Sequence, residues 1–241
     1  MLGGTFEGRR MGGGWMVREA ASRVDRGEMS EEDYVRMQKS VCSGVGSCPM
    51  MGTANTMSCL LEPLGLALPG CGAVHAVMAE KLRYARNSGK RIMELVEQNI
   101  KPRDYVTYES ILNTLRVSAA IGGSTNTLIH MPAIASSFGY KIDAEEFNRI
   151  GDTTPYLASV IPSGRFTMQE FAEAGGIPAG VDRCALYCSA LRREVSEQHA
   201  YAAVISERLV CACDDILIQT SRIACKLLRP GSSRYGFLTE I

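Results

Sequence analysis

Apolar positions along this chain recur mostly at helical spacing, and glycines, prolines and capping residues cut the pattern into short segments. Thr107 to Ile121 is the clearest amphipathic stretch, with Ile111, Leu115 and Ala119 on one face. Trp15 to Arg26 predicts a short helix stopped at Gly27. Ser30, with Asp33 three positions on, resembles a capping box that opens a second helix through Lys39. Thr53 to Leu61 is apolar nearly all round, which predicts a buried helix with Cys59 inside it. Ala73 to Asn87 predicts a helix with Lys81, Arg83 and Arg86 on its outer side, separated by Gly89 from a further segment, Arg91 to Gln98. After Gly122-Gly123, another helix is expected to begin at Ser124-Thr125-Asn126 and to carry His130 toward Pro132. Capping boxes at Asp143–Glu146 and Thr167–Glu170 predict two more short helices. Between those two, Tyr156 to Ile161 has the β-branched, apolar character of a strand. The glycine-rich residues 3–14 read as loop.

Composition narrows the class of protein without choosing within it. An apolar fraction of 46% and a charged fraction of 22% are ordinary for a folded globular chain. Its 241 residues suffice for one large or two modest cores. Lys+Arg and Asp+Glu balance at 26 each, so no charge excess points to nucleic acid or an anionic membrane surface. No apolar run approaches the length of a membrane span, and the first residues lack the regions of a signal peptide. A cytoplasmic chain is therefore expected, with its nine cysteines reduced and some available as ligands.

The candidate chemistry lies in Ser40 to Met57, where Cys42, Gly44, Gly46, Cys48, Pro49 and Gly52 form a turn-rich run ahead of an apolar segment. A cysteine in such a loop beside a helix N-terminus sits where negative charge is favoured, which suits a metal or cluster ligand. C-x5-C is not by itself a strong metal spacing, and from the residues alone the commoner role of a free cysteine is a small buried hydrophobe in a tight turn. Two glycines before Ser124, Thr125 and Asn126 form a plausible anion nest at a helix start, suited to a substrate carboxylate or phosphate. Simple capping between two helices is the other reading. His75 and His130 read as packed histidines.

Gly46-Ser47-Cys48 followed by Met51-Gly52-Thr53-Ala54-Asn55-Thr56-Met57 resembles the central motif of the dihydroxy-acid and 6-phosphogluconate dehydratases. The resemblance continues through Leu64–Gly70, Gly122–Asn126, Pro162-Ser163-Gly164 and Glu173–Pro178, and covers residues 3 to 179. It implies an α/β fold: the helix-rich part of an N-terminal dehydratase domain, with helices flanking a mainly parallel sheet. It also implies a hydro-lyase that converts a 2,3-dihydroxy acid to a 2-keto acid, as in branched-chain amino-acid biosynthesis. The implied cofactors are an iron-sulfur cluster (2Fe-2S or 4Fe-4S), with Cys48 as one of three cysteine ligands, and magnesium. The implied partners are a small dihydroxy acid and, in a complete family member, further copies of the same chain.

The family's Cys-Asp-Lys motif, its other upstream cluster cysteine and its C-terminal serine segment have no counterpart in this sequence, and no catalytic base is assigned. Residues 1–179 therefore read as a partial N-terminal dehydratase domain. Residues 180–241 read as a divergent tail holding Cys184, Cys188, Cys211, Cys213 and Cys225, with Arg208 to Leu228 still helix-like and His199 poorly spaced for a zinc finger. The chain is expected to be a fragment, inactive in isolation. The alternatives are a fragment of a sugar-acid dehydratase and a non-catalytic association module.

Overall fold

The computed structural model describes residues 3–42 and 44–180. The tail cysteines and the Arg208–Leu228 segment lie outside the described residues, as does the expected domain beyond residue 179.

The chain opens on a small antiparallel hairpin, β1 (Thr5–Phe6) and β2 (Arg9–Arg10), with Thr5 opposite Arg10 and Phe6 opposite Arg9. Its turn residues, Glu7 and Gly8, take positive φ of 49° and 78°, as the favoured two-residue hairpin turns require. That turn is why a glycine-rich run expected to be loop holds two short strands. Helices α1 (Gly14–Asp25) and α2 (Glu31–Ser40) pack against each other near the hairpin, around Met11, Ala20, Met37 and Val41. Ser30 caps α2 as its sequence predicts, its Oγ accepting the Asp33 amide at 3.1 Å.

The larger core forms around α3 (Thr53–Leu60) and α5 (Tyr108–Ala120), with α6 (Thr127–Ser137), α7 (Ala144–Thr153) and α8 (Met168–Glu173) arranged about them. Leu60, Ile111, Met131, Ile150 and Ile177 are among its fully buried side chains. Thr107, Asp143 and Thr167 cap α5, α7 and α8 through their side chains. α3, expected to be buried all round, buries Asn55, Thr56, Cys59 and Leu60 and leaves Ala54 exposed; its Cys59 is wholly enclosed. Removal from water pushes that thiol's pKa far up, so Cys59 is a packing residue.

Among the described residues the expected mainly parallel sheet is not found; the hairpin is the strand pairing they contain. The segment Tyr156–Ile161 makes a single parallel bridge, Val160 to Phe166, and otherwise runs as irregular backbone between α7 and α8. A short apolar run reads alike whether it lies in a buried strand or a buried loop, and Val160 and Ile161 are buried without a partner strand. The predicted break at Gly89 is also absent: α4 runs unbroken from Ala79 to Glu97. A mid-helix glycine costs about 1 kcal/mol relative to alanine, which strong helix formers on both sides offset. Likewise α6 starts three residues later than expected and continues through Pro132. The carbonyl left without a donor there, that of Leu128, belongs to an exposed residue that water can reach. His130, expected in the core, is exposed.

A buried carboxylate ties α3 to the chain that follows it. Glu62 is only 5% exposed, and its two oxygens accept the amides of Gly70 and Gly72, each at 2.7 Å. Burial pushes its pKa up to about 7, although both amides and the charge of Lys81 pull it down. Lys81 Nζ donates to the Cys71 carbonyl at 2.8 Å and Tyr84 Oη to that of Pro69 at 2.9 Å, so α4 clamps the same turn from outside.

Two outcomes follow. Leu60→Ala should lower the free energy of unfolding by about 2–5 kcal/mol in urea titrations, because Leu60 is wholly buried in the larger core. Glu62 binds its proton more tightly folded than unfolded, so its contribution to stability should decline as pH rises from the ordinary 4.5 to about 7. Unfolding curves across that window should show the decline in the native chain and its loss in Glu62→Gln.

Candidate functional site

Two of the motif stretches singled out in the sequence, the Cys48 loop and the Ser124–Asn126 run, converge on the first half of α3. The Cys48 loop enters from one side. Asn55, 6% exposed, donates through Nδ2 to the carbonyls of Cys48 at 2.6 Å and Met50 at 2.7 Å, while its Oδ1 accepts from Ser47 Oγ at 2.5 Å. Backbone pairs fix the loop further: Met51 N donates to Ile161 O at 2.7 Å, and Met168 N to Pro49 O at 2.9 Å. Ile161 and the start of α8 thus act as a backing plate for the loop.

Cys48 is half-buried, and its Sγ lies 3.6 Å from where a Cβ on Gly52 would stand. Gly52 is the residue that opens α3, so the thiol sits beside a helix N-terminus, as the sequence suggested. Cys42 is exposed, and Cys71 is half-buried with Lys81 Nζ 3.5 Å from its sulfur.

Ser124, Thr125 and Asn126 reach α3 from the other side. Thr56, fully buried, accepts the Ser124 amide on its Oγ1 at 3.0 Å. Thr53 Oγ1 accepts from Asn126 Nδ2 at 2.5 Å and lies 3.3 Å from Ser124 Oγ. Gly123 has to be glycine for this approach, since a Cβ there would stand 2.5 Å from Ser118 Oγ. The Asn126 amide donates to Ser124 Oγ at 3.3 Å. Two amides of the expected nest are therefore engaged within the protein, while Thr125 and Asn126 remain exposed.

A cavity of about 200 Å³ opens between the Cys48 loop and the start of α4, lined by Ser47, Asn55, Ser58, His75, Lys81 and Met168 among others. His75 is buried, with no partner for Nε2 among the described residues, and burial pushes its pKa down. Sequence reasoning missed Asn55, Glu62 and Lys81 as organising residues. The signal for Glu62 was available: a lone carboxylate inside the apolar run Cys59–Leu68 must find buried donors.

Metal chemistry is only partly provided for. Cys48 offers one sulfur, but among the described residues no group of three or more His, Cys, Asp or Glu side chains could hold a metal ion. These residues do not fit a complete iron-sulfur or magnesium site. Also among the described residues, no helix is long and apolar enough to cross a membrane.

Comparison with known proteins agrees with the motifs. Residues 1–200 match the family model described as dihydroxy-acid/6-phosphogluconate dehydratase N-terminal. The chain is 47% identical over 163 residues to a dihydroxy-acid dehydratase of Methanospirillum hungatei, covering 68% of this chain and 30% of the relative. A dihydroxy-acid dehydratase of Methanosarcina barkeri is 46% identical over 167 residues, covering 69% and 30%. One from Halothermothrix orenii is 37% identical over 238 residues, covering 98% of this chain and 40% of that protein. The chain thus spans 30–40% of the length of these relatives. With two of the matched motifs held on one helix and the family model covering most of its length, this chain belongs to the dihydroxy-acid/6-phosphogluconate dehydratase family, as part of its N-terminal domain.

Proposed function

We propose that this chain is the α3-centred portion of a hydro-lyase that dehydrates 2,3-dihydroxy acids to 2-keto acids in the cytoplasm. The observation that carries the reading is the joint anchoring of the Cys48 loop and the Ser124–Asn126 run on Asn55, Thr53 and Thr56. Two stretches far apart in sequence are thereby held on one short helix. The names of the relatives favour a dihydroxy acid over a sugar acid as substrate.

In this reading Cys48 contributes one sulfur to an iron-sulfur cluster, and the other ligands, with those for magnesium, come from outside the described residues. Such a cluster would supply a Lewis acid for the departing hydroxyl. The chain's own residues hold and orient. Asn55 holds the carbonyls of Cys48 and Met50 and the hydroxyl of Ser47, and so orients the loop that carries the sulfur. The Ser124–Asn126 run, where Thr125 and Asn126 are exposed, receives the polar end of the substrate. No base among the described residues is assigned to the proton at carbon 2, so the isolated chain should show no dehydratase turnover.

The test restores the missing parts. Residues 3–180 replace the corresponding segment of the Halothermothrix orenii relative, and iron, sulfide, visible absorption and turnover are measured. Cys48→Ser should lose cluster and activity together while keeping its far-ultraviolet circular dichroism, since a hydroxyl is a hard, normally protonated donor for iron. Cys59→Ser in the same chimera should keep the cluster and lose about 1–3 kcal/mol of stability by burying a hydroxyl. Full cluster content and turnover in Cys48→Ser would overturn the reading.

A further inference from the structure

Cys71 lies half-buried in the Pro69–Gly72 turn, and the foot of α4 closes on it. Lys81 Nζ, from the first turn of α4, donates to the Cys71 carbonyl at 2.8 Å and lies 3.5 Å from its sulfur. The carbonyl contact holds the amine, at the end of a long flexible stem, beside the thiol of the same residue. Tyr84 Oη secures the turn again through the Pro69 carbonyl, at 2.9 Å. None of the 19 residues of α4 is buried, so contacts of this kind, rather than a buried apolar face, hold the helix to the turn. Cys59, by contrast, is wholly enclosed and out of reach of a solute. Oxidation of a thiol follows its exposure, and a sulfenic acid condenses with a nitrogen that stands next to it.

We propose that Cys71 and Lys81 form a redox modification site, where hydrogen peroxide joins the two side chains through a sulfur–nitrogen bond that a thiol reverses. In the first step Cys71 Sγ attacks the peroxide. The O–O bond breaks, an S–O bond forms, and the second oxygen leaves as water with the thiol proton. Sulfur has then lost two electrons and the peroxide has gained them. Lys81 Nζ, having given one proton to water, attacks Sγ with its lone pair. The S–N bond forms, the S–O bond breaks, and the hydroxyl leaves as water with a second proton from Nζ. One thiol, one amine and one peroxide thus give one S–N bond and two waters. The amide of Gly72 is the neighbouring backbone nitrogen, but it is engaged on the buried Glu62 carboxylate at 2.7 Å, so the lysine amine is the nitrogen placed to react. Closing 3.5 Å to a covalent bond takes a swing of the Lys81 stem. In reverse, an added thiol attacks Sγ and releases the amine, and a second thiol restores Cys71 and departs as a disulfide. The link fastens the foot of α4 to the turn that Glu62 ties to α3, at the edge of the cavity that Lys81 lines beside the Cys48 loop.

The test treats the reduced 241-residue chain with a small excess of hydrogen peroxide, blocks the remaining thiols with N-ethylmaleimide and cleaves after glutamate without reductant. Cleavage after Glu80 and Glu94 separates Cys71 from Lys81, and residues 81–94 hold no cysteine, so a peptide joined to them is not a disulfide. The native chain should give the Cys71 peptide joined to 81–94, lighter by two hydrogens than the two apart. Dithiothreitol before the blocking step should abolish it. Cys71→Ser and Lys81→Arg should each lose the joined product, although Lys81→Arg keeps a cation at the site. Amide exchange through residues 79–84 should slow roughly threefold or more after peroxide in the native chain and recover with dithiothreitol. Neither variant should show that slowing; each is compared with itself before and after peroxide, so a change in its basal stability does not enter. Oxygen added to Cys71 without a joined peptide would overturn the proposal, and so would a joined peptide that persists in Cys71→Ser.

Discussion

Two adjacent side chains, Asn55 and Thr56, carry the organisation of this domain. Asn55 holds the carbonyls of Cys48 and Met50, and Thr56 holds the amide of Ser124. Both are buried, so each bond forms where a backbone group would otherwise lack water. Neighbours on a helix point about 100° apart, and for that reason one residue faces the cysteine loop while the next faces the Gly122–Asn126 turn. A helix of eight residues thereby becomes the junction of two distant stretches. The cost of burying its polar groups is offset only while both stretches are docked.

The same logic extends down the helix. Past its end Glu62 takes the amides of Gly70 and Gly72, and the turn they form receives Lys81 and Tyr84 from α4. Polar groups along and just beyond α3 therefore fix, in sequence, the cysteine loop, the Ser124 turn and the foot of α4. Apolar packing on Leu60, Ile111 and Ile177 supplies the bulk of the stability, and these hydrogen bonds supply the register.

What was legible in the sequence was local. The Ser30, Asp143 and Thr167 caps open their helices as read, because a cap is decided within four residues. The motif resemblance brought Cys48 and Ser124 forward, and both lie at α3. Where tertiary context decides, reading failed. Gly89 and Pro132 did not end helices whose flanking residues and solvent access tolerate them, and Tyr156–Ile161 has a strand's composition without a strand's partners. His130 faces outward because α6 packs on the face of Thr127, Met131 and Ala135, and which face packs is decided by its neighbours. Asn55 stood in the recognised motif, but nothing in its neighbours reveals that it spans to Cys48 and Met50, since those contacts depend on how the loop folds back.

Hydrogen exchange on Asn55→Ala and Thr56→Val, followed amide by amide under native conditions, tests the junction most directly. Asn55→Ala should speed exchange through residues 44–52 and leave 122–127 protected, and Thr56→Val should do the reverse, with α5 unchanged in both. Equal loss of protection everywhere in either variant, or no loss in the stretch each residue holds, would contradict the view that these two side chains separately pin the two halves of the site.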